Sequence, residues 1–95
     1  MNTDLPKAFL HRVEKIRDKT ARDKVNQAIK AVKKAESIKE IPHLRKVEDG
    51  KGGISYRIRV GDYRIGIRIE NNLVVFVDVG PRDKFYNTFP TILFI

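Results

Sequence analysis

From Ile54 to Ile69 the chain alternates apolar and polar residues with a period of two, interrupted once, at Gly61-Asp62. Residues at that period stand alternately on the two faces of a strand, and an interruption of two residues leaves room only for a tight hairpin turn. The register follows at once. Val60 faces Tyr63 and Arg59 faces Arg64, with Ile54, Tyr56, Ile58, Ile65, Ile67 and Ile69 on one face and Arg57, Arg59, Arg64 and Arg68 on the other. An apolar sheet face must be covered, and 95 residues allow one domain and one core to do it.

The cover is found upstream. Phe9, Leu10, Val13 and Ile16 recur at three- and four-residue steps behind Pro6, which predicts a helix over 6–18 with Pro6 at its first position. Thr20 and Asp23 resemble a capping box ahead of Val25, Ala28, Ile29, Val32 and Ala35, so a second, longer helix is expected to start at Thr20. The short link between them makes a helical hairpin lying on one surface. Ile41 before Pro42 leaves helical space, and Leu44 to Val47 offers a strand for one sheet edge. After the hairpin, Asn71-Asn72 marks another turn. Leu73 to Val79, apolar at every position but Asp78, reads as a central strand covered on both faces. The fold class is therefore α+β: a two-helix hairpin packed on one face of a small, mainly antiparallel sheet of three or four strands, forming a single domain over 1–95. Met1 to Leu5 shows no strand pattern.

Composition narrows the chemistry. The chain has no Cys, which removes disulfide scaffolds, thiolate metal sites and thiol nucleophiles. Its two His, His11 and His43, are far apart and lie in no His/Asp/Glu cluster at ligand spacing, so neither metal nor cofactor is expected. Asp49 to Gly53 is glycine-rich but lacks the Lys-Ser/Thr pair of a phosphate loop and reads as a turn. No apolar run has the length of a signal sequence or a membrane span, and the expected location is the cytoplasm.

The net charge is +8, which favours a polyanion or an acidic protein as partner. The type of base is segregated: residues 1–51 hold ten Lys and four Arg, residues 52–95 one Lys and five Arg. Lysine on a helix is an ordinary solvated residue, whereas the planar guanidinium fork suits a two-point grip on phosphate. Arginines directly opposite across strands repel by about 0.2–1 kcal/mol, a penalty that an anion relieves. Arg82 and Tyr86 follow the last strand, where functional side chains gather.

These residues carry a resemblance. The segment Tyr56-Arg57-Ile58-Arg59, then Gly61-Asp62-Tyr63-Arg64, then Val79-Gly80-Pro81-Arg82 with Tyr86 is similar to the C-terminal half of the RelE branch of the RelE/ParE toxin superfamily. The preceding helices match that family's helical hairpin, so the resemblance spans about residues 8–90. It implies the toxin of a type II toxin-antitoxin system that cuts mRNA in the ribosomal decoding site without metal, by attack of a ribose 2′-hydroxyl on the adjacent phosphate. Arg64, Arg82 and Tyr86 match the catalytic positions; Arg57 and Arg59 match basic residues of the cleavage pocket, and Arg68 and Lys84 are expected to add RNA contacts. Arg59 stands where some relatives carry a lysine base, and a guanidinium is a poor proton acceptor, so proton transfer has no assigned residue. The family's N-terminal strand has no visible counterpart here.

An acidic antitoxin and ribosome-bound mRNA are the implied partners. Two other readings stand beside the ribonuclease: a DNA gyrase inhibitor of the ParE kind, and a catalytically weak module that binds RNA or a partner. At the C-terminus, Ile92, Leu93, Phe94 and Ile95 form an apolar extension over 91–95. It is expected to pair with a sheet edge, its own or that of a second copy, in place of the missing N-terminal strand.

Overall fold

The computed structural model describes residues 1–48, 54–87 and 89. The elements run β1 (Asn2–Asp4), α1 (Lys7–Glu14), α2 (Lys19–Lys34), a 3-10 turn (Ile38–Glu40), β2 (Leu44–Glu48), β3 (Ile54–Val60), β4 (Tyr63–Glu70), β5 (Leu73–Pro81) and α3 (Arg82–Phe85). Both the expected turn at Asp49 to Gly53 and the extension over 91–95 lie outside the described residues.

Both helices form where the apolar spacing places them, with boundaries set by capping. In α1 the residues Phe9 and Val13, followed by Ile16, face the core, while Leu10, one step off that stripe, is 40 % exposed. Pro6 is the N-cap and not the first helical residue. The helix stops at Glu14, four residues early, because the next residues turn to present Asp18 as the cap of α2. Its carboxylate accepts from the backbone N–H groups of Thr20 (2.9 Å) and Ala21 (3.4 Å). Thr20 is thus inside the helix, and the capping box read around it is displaced by a stronger cap two residues earlier. We expect Asp18→Ala to cost about 1 kcal/mol, seen as a lower denaturation midpoint with an unchanged slope.

The sheet has five strands in the order β1-β5-β4-β3-β2, one or two more than expected. The hairpin register agrees with the sequence reading: Val60 pairs with Tyr63, Arg59 with Arg64 and Ile58 with Ile65. Ile58, Ile65, Ile67, Val74 and Phe76 are buried with Phe9, Val13, Val25, Ile29 and Val32 of the helices, so both helices cover one face. Phe9 meets Phe76 with ring centroids 5.2 Å apart. Arg12 clamps α1 to β5 through Asp78 at 2.6 Å.

Two expectations are corrected. Met1 to Leu5 does contain a strand: Asn2, Thr3 and Asp4 pair in parallel with Leu73, Val74 and Val75. The Met1 amino group also donates to the carbonyls of Lys33 and Ala35, which holds the segment on the end of α2. Accordingly β1 occupies the edge that the C-terminal extension was expected to take. β5 is an interior strand, as expected, between β1 and β4, but it is not covered on both faces: only alternate residues along Val74 to Asp78 are buried.

Burial on both faces belongs to β4, where Arg64, Ile65, Gly66 and Ile67 are all buried. The cause is Phe89. A Cβ placed on Gly66 would fall 2.5 Å from the Phe89 ring, so that ring rests on the face opposite the helices. Phe85 stacks beside it at 4.9 Å. Opposite Gly66, the β4–β5 register slips by one residue, a bulge that adds local twist in the middle of β5. Among the described residues no helix is long and apolar enough to cross a membrane.

Candidate nucleic-acid interface

The turn between β3 and β4 builds one end of the site. Gly61 has φ +59°, a left-handed conformation that glycine adopts without strain and that a two-residue hairpin turn requires. Arg64 follows on β4 and curls back: its Nη1 donates to the carbonyls of Gly61 (2.9 Å) and Tyr63 (2.9 Å). The side chain is fixed by the turn it follows, and the residue is only 8 % exposed. Arg64 is therefore not the solvent-facing group that a position on an open sheet face suggests.

From the other side, the backbone N–H of Arg82 donates to the Asp62 carbonyl at 2.7 Å, which ties the start of α3 to the same turn. Between this corner and α2 lies a groove of about 760 Å³. Arg59, Arg64 and Arg82 line it together with Lys24, Gln27 and Ala28 of α2, and with His43 and Asp62. Its described lining residues thus include four cationic residues and a single carboxylate. A smaller hollow of about 130 Å³ adjoins it, lined by His43, Leu44, Arg45, Arg57 and Arg59.

The expected set is therefore divided. Arg59, Arg64 and Arg82 come together, and Arg57 stands next to them. Arg68 shares their face of the sheet by register, but Gly66 lies between Arg64 and Arg68 on β4, and the Phe89 ring sits there. Beyond that ring Arg68 pairs with Glu70 at 3.5 Å. Lys84 lines a separate hollow of about 500 Å³ with Arg12, Lys15, Arg17 and Tyr63. Tyr86 is 49 % exposed, edge-on to the buried Phe85 at 5.0 Å, and is not among the described residues that line the groove.

The reading of the sequence missed Lys24, Arg45 and His43. Lys24 looks like any solvated helix lysine, and only the packing of α2 over the sheet end brings it to the groove. His43 has φ +60°, a conformation in which His is found more often than most side chains.

A helical hairpin on one face of a five-stranded sheet is a fold this chain shares with solved RelE toxins. The RelE of the RelB-RelE antitoxin-toxin complex from Methanococcus jannaschii superposes with a TM-score of 0.67 at 24 % identity, covering 95 % of this chain and all of that one. The archaeal RelE-RelB complex from Pyrococcus horikoshii OT3 gives 0.65 at 19 % identity, over 85 % and 93 % of the two chains. Residues 4–86 match the family described as the ParE toxin of type II toxin-antitoxin system, parDE, and the chain belongs to that RelE/ParE toxin family. Over 35 residues it is 49 % identical to toxin RelE3 of Methanocaldococcus jannaschii, a match that spans 37 % of this chain and 40 % of that protein.

Proposed function

We propose that this toxin is a metal-independent, ribosome-dependent mRNA endoribonuclease in which a ribose 2′-hydroxyl attacks the adjacent phosphate. The observation that carries the reading is the convergence of Arg59, Arg64 and Arg82 on one groove, with Arg64 already fixed by two carbonyls. Attack on a phosphodiester gathers negative charge on the nonbridging oxygens, and guanidinium groups held in place beforehand stabilise that charge without reorganising. Arg57 and Lys24 extend the field along the RNA backbone, and a groove lined by cations seats a phosphate better than a divalent ion. Tyr86, outside the groove and half exposed, is suited to stack on a base of single-stranded RNA. The test is incubation of the purified protein with a defined mRNA, free and on ribosomes. Cleavage on the ribosome to a 2′,3′-cyclic phosphate and a 5′-hydroxyl supports the reading.

Gyrase inhibition is the second reading, favoured by the ParE description of the matching family. Intact mRNA together with loss of supercoiling activity would decide for it.

The relatives from Methanococcus and Pyrococcus were solved with RelB antitoxins. By the same logic an acidic antitoxin neutralises this chain by covering the groove or the segment that bears Tyr86, and complementary charge sets its association rate. Association is expected to weaken as salt rises. A complex in which the partner touches only the exposed lysines of α2 and leaves the groove open would contradict this.

A further inference from the structure

We propose that His43 accepts the proton of the attacking 2′-hydroxyl, an assignment that rests on the ribonuclease reading above. Among the described residues His43 lines both hollows, the large groove and the smaller one beside it. Its backbone is held in the left-handed region, φ +60°, by β3. The Arg59 N–H donates to its carbonyl at 3.3 Å and Arg57 Nη1 at 3.4 Å. A strained conformation kept in place by its neighbours is a feature that concentrates at functional sites. Here both contacts end on the His43 carbonyl, one from the Arg59 backbone and one from the Arg57 guanidinium, so the backbone of His43 is fixed against the strand that carries both arginines.

Elimination leads to the same residue. The charged groups around His43 are Lys24 from α2, Arg45 from β2, Arg57 and Arg59 from β3, Asp62 from the turn, Arg64 from β4 and Arg82 from α3. Guanidinium groups do not give up their protons in proteins. Imidazole is the side chain that exchanges a proton in the physiological range. Asp62 is the other available acceptor; it lines the large groove but not the smaller hollow beside it, and it also borders Pro81, Arg82 and Asp83.

In the step itself, the 2′-oxygen bonds to phosphorus as its proton passes to the imidazole. The bond from phosphorus to the 5′-oxygen breaks, and that oxygen takes a proton from water. The imidazolium returns its proton to solvent, leaving a 2′,3′-cyclic phosphate and a 5′-hydroxyl.

The experiment is single-turnover cleavage of ribosome-bound mRNA from about pH 5 to pH 8 by the wild-type protein and by His43→Gln, His43→Gly and Asp62→Asn, with melting temperatures measured alongside. We expect the wild-type rate to rise with pH through one ionisation. Both His43 variants should be slower by about a hundredfold or more and should lose that rise. His43→Gly should melt no lower than wild type, because glycine accepts the left-handed backbone freely. A His43→Gln protein that cleaves within a few-fold of wild type, or keeps the rise, overturns the proposal. So does Asp62→Asn if it alone abolishes the rise. A wild-type protein that cuts no ribosome-bound mRNA removes the ribonuclease reading, and this role with it.

Discussion

Replacing Arg82 by alanine is expected to slow cleavage of ribosome-bound mRNA by about a hundredfold or more while the protein melts within a degree or two of wild type. Arg82 is exposed, and among the described residues its guanidinium makes no hydrogen bond or ion pair. What fixes the start of α3 is the Arg82 backbone N–H on the Asp62 carbonyl, which alanine keeps. The substitution therefore removes charge from the groove and little else, and an interaction made chiefly in the transition state is worth ~2.7–4 kcal/mol. Arg64→Ala is the informative contrast. It also removes the two hydrogen bonds that close the hairpin turn, at about 0.5–1.5 kcal/mol each, so its loss of activity comes with a lower melting temperature. Single-turnover rates and thermal melts on the two variants check this directly, and a folded Arg82→Ala protein with the wild-type rate would take that residue out of the mechanism.

The second large effect is on stability. Phe89→Ala is expected to cost ~3–5 kcal/mol, a major part of the ~5–15 kcal/mol that holds a small domain together. Phe89 is fully buried at the sheet face opposite the helices, against Gly66 and 4.9 Å from Phe85. It gives β4 its second covered face and anchors the segment that carries Arg82 and Tyr86. In a domain of this size each kcal/mol moves the melting temperature by roughly 4–8 °C, so a fall of at least about 12 °C is expected by calorimetry. Gly66→Ala tests the same contact from the other side. The new methyl meets the ring, and the overpacking should cost ~1–3 kcal/mol. A melting temperature unchanged in both variants would show that Phe89 does not pack as described.

The contrast between these residues shows what could be read from the chain. The hairpin was legible because a period of two and a Gly-Asp interruption fix pairing locally; no distant residue is needed to put Arg59 opposite Arg64. The helical stripes were legible for the same reason. Residues 2–4 carry no pattern of their own and become a strand only because β5 offers a parallel edge, a contact about seventy residues away. The even spread of four arginines over one face was a sound inference from register that tertiary structure altered: Phe89, more than twenty residues downstream, folds onto Gly66 and comes between Arg64 and Arg68. Gly66 was the available signal, since a glycine inside a strand often marks a close approach. Arg64 was placed correctly but its environment was not, because its bonds go to carbonyls of a turn and leave no trace in side-chain pattern. His43 entered the site through its backbone conformation and not through spacing to any other residue.

Primer extension on abundant transcripts shortly after induction of the wild-type and Arg82→Ala proteins tests the central claim most directly. The account predicts new 5′ ends inside translated codons with the wild-type protein, and their absence with Arg82→Ala at equal protein level. Growth arrest with intact transcripts and inhibited DNA supercoiling would contradict it.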